Sequence, residues 1–594
     1  MRNGRAELKT TDLSGLMLRK LKMIESRNSW QRARRRRQIG SLKSFLVVVV
    51  VASLPISVSA QASPGRETAP ARLNDILAYI HSGWDSLTRS TSSCAAVVDP
   101  KLTAPPAVYL PANFPEPKEL DQMRRECNVT IAHLPVVIHK LGGKKVESIE
   151  PPGLLYLQNK YVVPGGRFNE MYGWDSYFII RGLLRDGRLA LARGMVDNFF
   201  FEIENYGALL NANRTYYLTR SHPPFLSSMV MAVHEAQKSA GQDDRAWLET
   251  AYSYVKRDHE MWTSPPHLAG NTGLSRYYDF GEGPAPEAMK DENDIYMQVA
   301  SYFVSHPSMA EYEPASDDSD KAPGSSYSVR VCDAVGVRCE PAHLINLTPD
   351  YYKGDRSMRE SGFDISFRFG PYGAATHHYA PVCLNSLLFK TERDLEEIAR
   401  LLKKRSEADG WHKMAEARRR AIEKYLWDES QGMFVDYELD DGKRSTYRYA
   451  TVFYPLWAGL ATLAQARAIM TTLSTFEKPG GIVMSERQSE GQWDYPFGWA
   501  PIQLIAVEGM RHYGFNADAD RISTKFLSMV LQNFEQDKTL REKYNVVTRS
   551  LDTNVKAGYG DNVIGFGWTN GVFVELLQEL PSDQLNAVTR DKGN

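Results

Sequence analysis

From residue 73 onward, apolar positions recur every three or four residues and polar residues fill the gaps. Leu73, Ile76, Leu77, Ile80 and Trp84 form one stripe, and Leu189, Ala192, Val196, Phe199 and Ile203 another. Leu226, Met229, Val230 and Val233 follow, then Leu248, Tyr252, Val255, His259 and Trp262. The pattern resumes at Leu384, Leu387, Leu388, Leu395 and Ile398, and again at Trp499, Ile502, Ala506 and Met510. This is the period of amphipathic helices, and Gly, Pro, Asn or Asp clusters bound each stripe. No strand–helix alternation, nucleotide-type Gly-rich loop or short-period repeat is present. Many amphipathic helices need a shared core. A two-layered ring of helices around a central pocket supplies one, and an α-solenoid another. Periodicity leaves both open.

Size and charge narrow the function. The 594 residues are 43% hydrophobic, enough to bury a large core. The net charge of −1 hides a split, because the first 60 residues hold 13 Lys and Arg against 3 Asp and Glu, leaving −11 on residues 61–594. An acidic body is a poor binder of nucleic acid and does not repel a neutral sugar. In the basic part, Arg32, Arg34, Arg35, Arg36 and Arg37 precede the apolar run Phe45–Val58 and the small residues Ser59 and Ala60. That order predicts a secretory signal over residues 1–60, a periplasmic or secreted product and no stable membrane span after cleavage. Five cysteines are too few for a disulfide-built fold. Cys332 and Cys339 are the expected pair, Cys94 and Cys127 a weaker one, and Cys383 reads as core. Residues 311–327 read as an acidic surface insertion. Asp317, Asp318 and Asp320 lack the Gly and the closing Glu of a calcium loop, and no Cys or His spacing suggests zinc. No metal site is expected.

Four loop segments concentrate the residue types that bind sugars. Pro164–Phe168 continues through Glu170, Tyr172, Trp174, Asp175 and Tyr177. Asn211–Arg214 continues through Tyr216, Tyr217, Arg220, Ser221, His222, Pro223 and Pro224. The third is Gln492, Trp493, Asp494, Tyr495 and Pro496 with Gly498–Pro501, and the fourth is Gly565–Asn570. Aromatic rings stack on the apolar face of a pyranose while Arg, Asn and carboxylates bind its hydroxyls. Two further segments supply acids: Glu360–Asp364, and Arg541 to Tyr544 with Glu542. Spacing alone leaves Asp364 equally readable as a helix cap and Glu542 as a surface ion-pair partner.

Residues 164–178 resemble the first signature of the trehalase family, glycoside hydrolase family 37, and residues 492–501 resemble the second. The similarity runs from about Leu154 to Val574. The resemblance implies an all-α (α/α)6 barrel over residues 73–580, after a linker at 61–72 and before a polar tail at 581–594. It implies inverting hydrolysis of α,α-trehalose to two glucose molecules without a cofactor, with Asp364 as general acid and Glu542 as general base. It further implies sugar contacts from Arg167, Trp174, Asp175, Asn211, Arg220, Ser221, Gly362 and Glu287, with Trp493 in the second signature. Three positions depart from the family pattern. His222 stands for a Gln, Ala285 for an Arg, and a late Glu is replaced at best by Asp561. The loss of Arg at 285 predicts weaker trehalose binding, with a protonated His222 as the compensating donor. The alternatives are another exported glucoside hydrolase on the same barrel, and a sugar-binding protein without catalysis. The expected partner is trehalose or a related glucoside, and no oligomeric state is implied.

Overall fold

The computed structural model describes residues 71–98, 106–142, 149–288, 293–306, 309, 326–330, 332, 338–558 and 562–590. The basic and apolar run at 32–60, the acidic residues Asp317, Asp318 and Asp320, and Asp561 lie outside the described residues. Every element below lies within residues 67–594.

Thirteen helices carry the argument. They are α1 (Ala71–Leu87), α2 (Asp175–Arg185), α3 (Leu189–Tyr206), α4 (Leu226–Ser239), α5 (Arg245–Trp262), α6 (Pro349–Glu360), α7 (Val382–Leu401), α8 (Arg405–Tyr425), the short α9 (Tyr454–Trp457), α10 (Ala500–His512), α11 (Asn516–Asp537), α12 (Gly567–Glu579) and α13 (Ser582–Arg590). Helices α2, α4, α7, α9, α10 and α12 each touch the next in that order, and α12 returns to α2. Six inner helices therefore close a ring. Outside it, α3 bridges α2 and α4, α5 bridges α4 and α7, α8 lies along α7, and α11 bridges α10 and α12. This is the (α/α)6 architecture, and its closure excludes an open solenoid.

The ring closes tightly where α2 meets α12. A Cβ on Gly182 would run into the Gly571 backbone, and a Cβ on Gly571 into the Phe178 carbonyl. Glycine at both positions lets the two backbones touch. The same crossing buries Glu575, which accepts from Arg185 Nε at 2.7 Å and pairs with Arg181.

The C-terminal segment differs from the expected tail. Residues 582–590 form α13, which packs on α11 with Val588 buried. A nine-residue amphipathic helix is too short to announce itself in a polar sequence. Both cysteine pairs are disulfides, Cys94–Cys127 and Cys332–Cys339, and Cys383 is free and buried. Among the described residues, no helix is long and apolar enough to cross a membrane.

Two further elements place the chemistry. Helix α6 stands apart from the ring in a smaller apolar cluster with Tyr296, Phe303 and Ile365. Thr348 caps it, its Oγ1 accepting from Tyr351 N at 3.0 Å, and Pro349 occupies the first turn. Strands β1 (Phe497–Trp499) and β2 (Lys543–Asn545) pair antiparallel, with Trp499 opposite Lys543. This pairing lays the 492–501 segment beside the Glu542 segment.

Candidate active site

A cavity of about 660 Å³ opens where several inner helices begin. Of the residues expected there, Arg167, Asp175, Asn211, Arg220, His222, Glu287, Gly362, Asp364, Trp493 and Glu542 line it. Asp175 is the first residue of α2, Arg220 and His222 precede α4, and Gly362 and Asp364 follow α6. Trp493 precedes β1 and α10, Glu542 immediately precedes β2, and Trp568 is the second residue of α12. Loops at one end of a rigid ring thus converge on one space.

The two acid-bearing segments are held by the 492–494 turn. Gln492 Nε2 donates to the Asp364 carbonyl at 2.6 Å, and Trp493 N donates to Ile365 O at 3.1 Å. Asp494 accepts from Phe367 N at 2.8 Å and from Ser489 Oγ at 2.6 Å. On the other side, Lys543 Nζ donates to Gln492 Oε1 at 2.7 Å, and Trp568 Nε1 donates to the Glu542 carbonyl at 3.1 Å. A continuous chain of bonds therefore runs from the backbone of Asp364 to the residue next to Glu542.

The carboxyl groups influence one another. Burial pushes Glu542 above its ordinary value; Lys543 and Arg167 pull it down, and Asp364 pushes it up. Its Oε2 is enclosed and makes no hydrogen bond among the described residues. Burial also raises Asp175 well above the usual range, and Glu542 and Asp364 add to that shift.

A buried ionic network forms another part of the wall. Arg220 donates to Glu287 and lies 3.7 Å from Asp279. Arg356 Nε lies 3.3 Å from Asp279, and Arg359 Nε donates to Asp355 at 3.1 Å. Burial opposes the charge on Glu287, but Arg220, Arg359 and Arg356 overcome it and hold the carboxyl at about 2. Arg359 lines the cavity and was missed by sequence reasoning. Its spacing from Asp355 on α6 is that of an ordinary surface ion pair, so nothing in the sequence separates it from many others. Gln298 and Lys556 also line the cavity without a motif.

Some expected contacts lie elsewhere. Trp174 and Ser221 do not line the cavity. Ser221 Oγ donates to Leu209 O at 2.6 Å, a backbone role. Trp174 packs behind Gly362, whose φ is +75° and whose Cβ, if present, would lie 2.9 Å from the indole. Trp493 stacks on Trp499 with ring centres 3.8 Å apart, and Trp568 meets both edge-on. His222 is not a charged donor. Burial and then Arg220 drive its pKa well below the usual value, and Nδ1 accepts from Trp174 N at 3.1 Å. The neutral ring carries its proton on Nε2. Ala285 is fully buried, and Arg356 donates to the adjacent Pro284 carbonyl at 3.1 Å. A guanidinium from α6 thus already occupies that neighbourhood.

A closed (α/α)6 ring whose cavity holds paired carboxyl groups, stacked indoles and hydroxyl-binding side chains defines a glycoside hydrolase. The chain belongs to the trehalase family, whose model matches residues 76–319 and 348–581. It is 35% identical over 555 residues to a probable trehalase of Eremothecium gossypii, covering 83% of this chain and 71% of that one. It is 34% identical to a cytosolic neutral trehalase of Saccharomyces cerevisiae, covering 85% of this chain and 71% of that one. The solved structure of S. cerevisiae neutral trehalase superposes with a TM-score of 0.71 at 30% identity, over 87% of this chain and 96% of that one.

These relatives correct the expectation of a periplasmic or secreted product. Those from S. cerevisiae and Neurospora crassa, both 34% identical, are named cytosolic. The expectation rested only on the order of basic, apolar and small residues at 32–60.

Proposed function

We propose that this enzyme hydrolyses α,α-trehalose to two glucose molecules, with Asp364 as the acid, Glu542 as the base and inversion at the attacked carbon. The observation that carries the roles is the meeting of these two acids in one cavity, brought there by different loops and linked through Gln492 and Lys543. An acetal carbon loses an alkoxide slowly, so the glycosidic oxygen must receive a proton as the bond breaks. Attack from the opposite face needs an ionised carboxylate to take a proton from water. Like charges in an enclosed site resist joint ionisation. Burial raises Glu542, while Lys543 and Arg167 favour its ionised form; the proposed roles require the proton on Asp364. Burial favours the protonated form of Asp175, which lines the cavity as a hydrogen-bonding partner for a sugar hydroxyl.

Binding follows from the walls. Trp493, Trp499 and Trp568 offer ring surfaces to the pyranose faces. Arg220, Glu287, Asn211 and Arg359 offer fixed polar groups for hydroxyls on one side, and Arg167 does so at the exposed mouth. The catalytic unit is residues 73–580, with α13 completing its outer layer.

Glucose release from trehalose and from a panel of other α-glucosides tests this reading. Trehalose is expected to be preferred, and Asp364→Asn or Glu542→Gln is expected to lower kcat by about 10²–10⁴-fold. Faster release from another glucoside would reassign the substrate. Near-normal turnover in a folded variant would remove the role given to that residue.

A further inference from the structure

A second cavity, of about 950 Å³, shares no lining residue with the first. Asp350, His378 and Asp440 line it, and His377 stands beside them. His377 Nε2 lies 3.0 Å from Asp350 Oδ1, and His378 Nε2 lies 3.4 Å from the same oxygen. The three ligand atoms fall within 4.8 Å of one another. Zinc ligands sit at about 2.0–2.1 Å in a tetrahedral site, which puts neighbouring ligand atoms about 3.4 Å apart. Two edges of the triangle already have nearly that length.

The fourth residue explains the orientation. His378 Nδ1 lies 2.6 Å from Asp440 Oδ2. With its proton on Nδ1 alone the ring presents the Nε2 lone pair to Asp350, and with both nitrogens protonated it donates to both carboxylates. Two acceptors 3.4 Å apart need a cation between them, either a proton or a metal ion. A carboxylate on the far nitrogen is the arrangement that metal-bound histidines use to fix ring and tautomer. Two carboxylates also match the charge of one dication. Arg276 is one cation near the group, and Lys443 and Arg444 line the same cavity. Arg276 donates to the His377 carbonyl at 3.0 Å, which directs its charge to the backbone rather than to the ring nitrogens. His377 Nδ1 is enclosed and makes no hydrogen bond among the described residues, so His377 is the weaker imidazole ligand of the two.

We propose that Asp350, His377 and His378 bind a transition-metal dication of the zinc class, with Asp440 orienting His378 and the remaining coordination position open to the second cavity. Asp350 lies in the first turn of α6, Asp440 follows Tyr437–Glu438, and the histidines end the 376–378 turn. A bound ion ties these three segments together. Because α6 also carries Arg359 to the first cavity, the ion braces one wall of that cavity from outside.

Cobalt(II) titration of the full chain, purified without a histidine tag, tests the site. One equivalent is expected to give the visible bands of a low-coordinate cobalt site, displaced by zinc, and zinc is expected to raise Tm. His378→Ala is expected to weaken cobalt binding at least tenfold, and Asp440→Asn by about 10–100-fold. Asp350→Asn changes an exposed residue and serves where the histidine variant folds poorly; it is expected to weaken binding at least tenfold. Absence of cobalt bands in the wild type, or unchanged affinity in Asp350→Asn and His378→Ala, would overturn the proposal. The readout is metal binding, so it stands or falls separately from trehalose hydrolysis.

Discussion

Lys543 Nζ donates to Gln492 Oε1 at 2.7 Å, and both side chains are buried. Lys543 also sits 5.5 Å from the centre of the Trp499 ring. The ammonium therefore does two things: it lowers the pKa of Glu542, and it anchors the amide that holds the Asp364 carbonyl.

These two effects separate in variants. Lys543→Met removes the charge, so the Glu542 carboxyl rises further. A base must be ionised, so activity is lost as pH falls through its pKa. The acidic limb of the kcat/KM profile is expected to move to higher pH in Lys543→Met. Gln492→Ala keeps the charge and releases the acid segment; it is expected to lower kcat with the limb close to its wild-type position. An unmoved limb in Lys543→Met would contradict the electrostatic role.

Gly362 turns the chain from α6 into the acid segment at φ +75°, against Trp174. Gly362→Ala adds both an unfavourable backbone conformation and a collision. A loss of about 1–3 kcal/mol of stability is expected, together with a lower kcat/KM. Thermal unfolding and steady-state kinetics check it, and a variant with wild-type Tm and kinetics would contradict the packing argument.

Glu287 and Arg220 are a buried pair, and removing one partner leaves the other charge uncompensated. Glu287→Gln is expected to cost about 3–5 kcal/mol, toward the lower end because Asp279 stays 3.7 Å from Arg220. The pH dependence has a definite sign. The Glu287 pKa is depressed to about 2 on folding, so its contribution is complete above the ordinary glutamate value and fades as pH falls toward 2. The gap in Tm between wild type and variant is therefore expected to narrow on acidification below that ordinary value. A gap that widens in acid would contradict the assignment.

Helical stripes were legible on outer helices with one wet face and also on the inner helices α4, α7 and α10. Helices α1, α3 and α5 showed clean stripes because their outer sides meet solvent. The inner helices α2 and α12 are buried nearly all round, so periodicity faded there and closure of the ring was left open. At the site, the aromatic and Gly-rich loops were legible because they gather unusual residues in short stretches. Arg359 was not, since its place in the cavity depends on how α6 docks rather than on its neighbours in sequence. Trp174 and Ser221 differ in the other direction, since neither is among the residues that line the cavity. Both belong to a sugar-binding motif, yet here they support the cavity wall from behind. His222 was misjudged because the Trp174 amide and the Arg220 charge that keep it neutral are set by tertiary contacts.

The stereochemistry of the first turnovers tests the roles of Asp364 and Glu542 most directly. Trehalose carries two α-linked anomeric carbons. Inversion at the attacked carbon releases one glucose as the β anomer, while the leaving half departs as α. Proton NMR of the wild-type reaction, recorded before mutarotation mixes the products, is expected to show α- and β-glucose in equal amounts. Exclusive initial release of α-glucose would mean retention through a covalent intermediate and would contradict the assignment of Glu542 as a base.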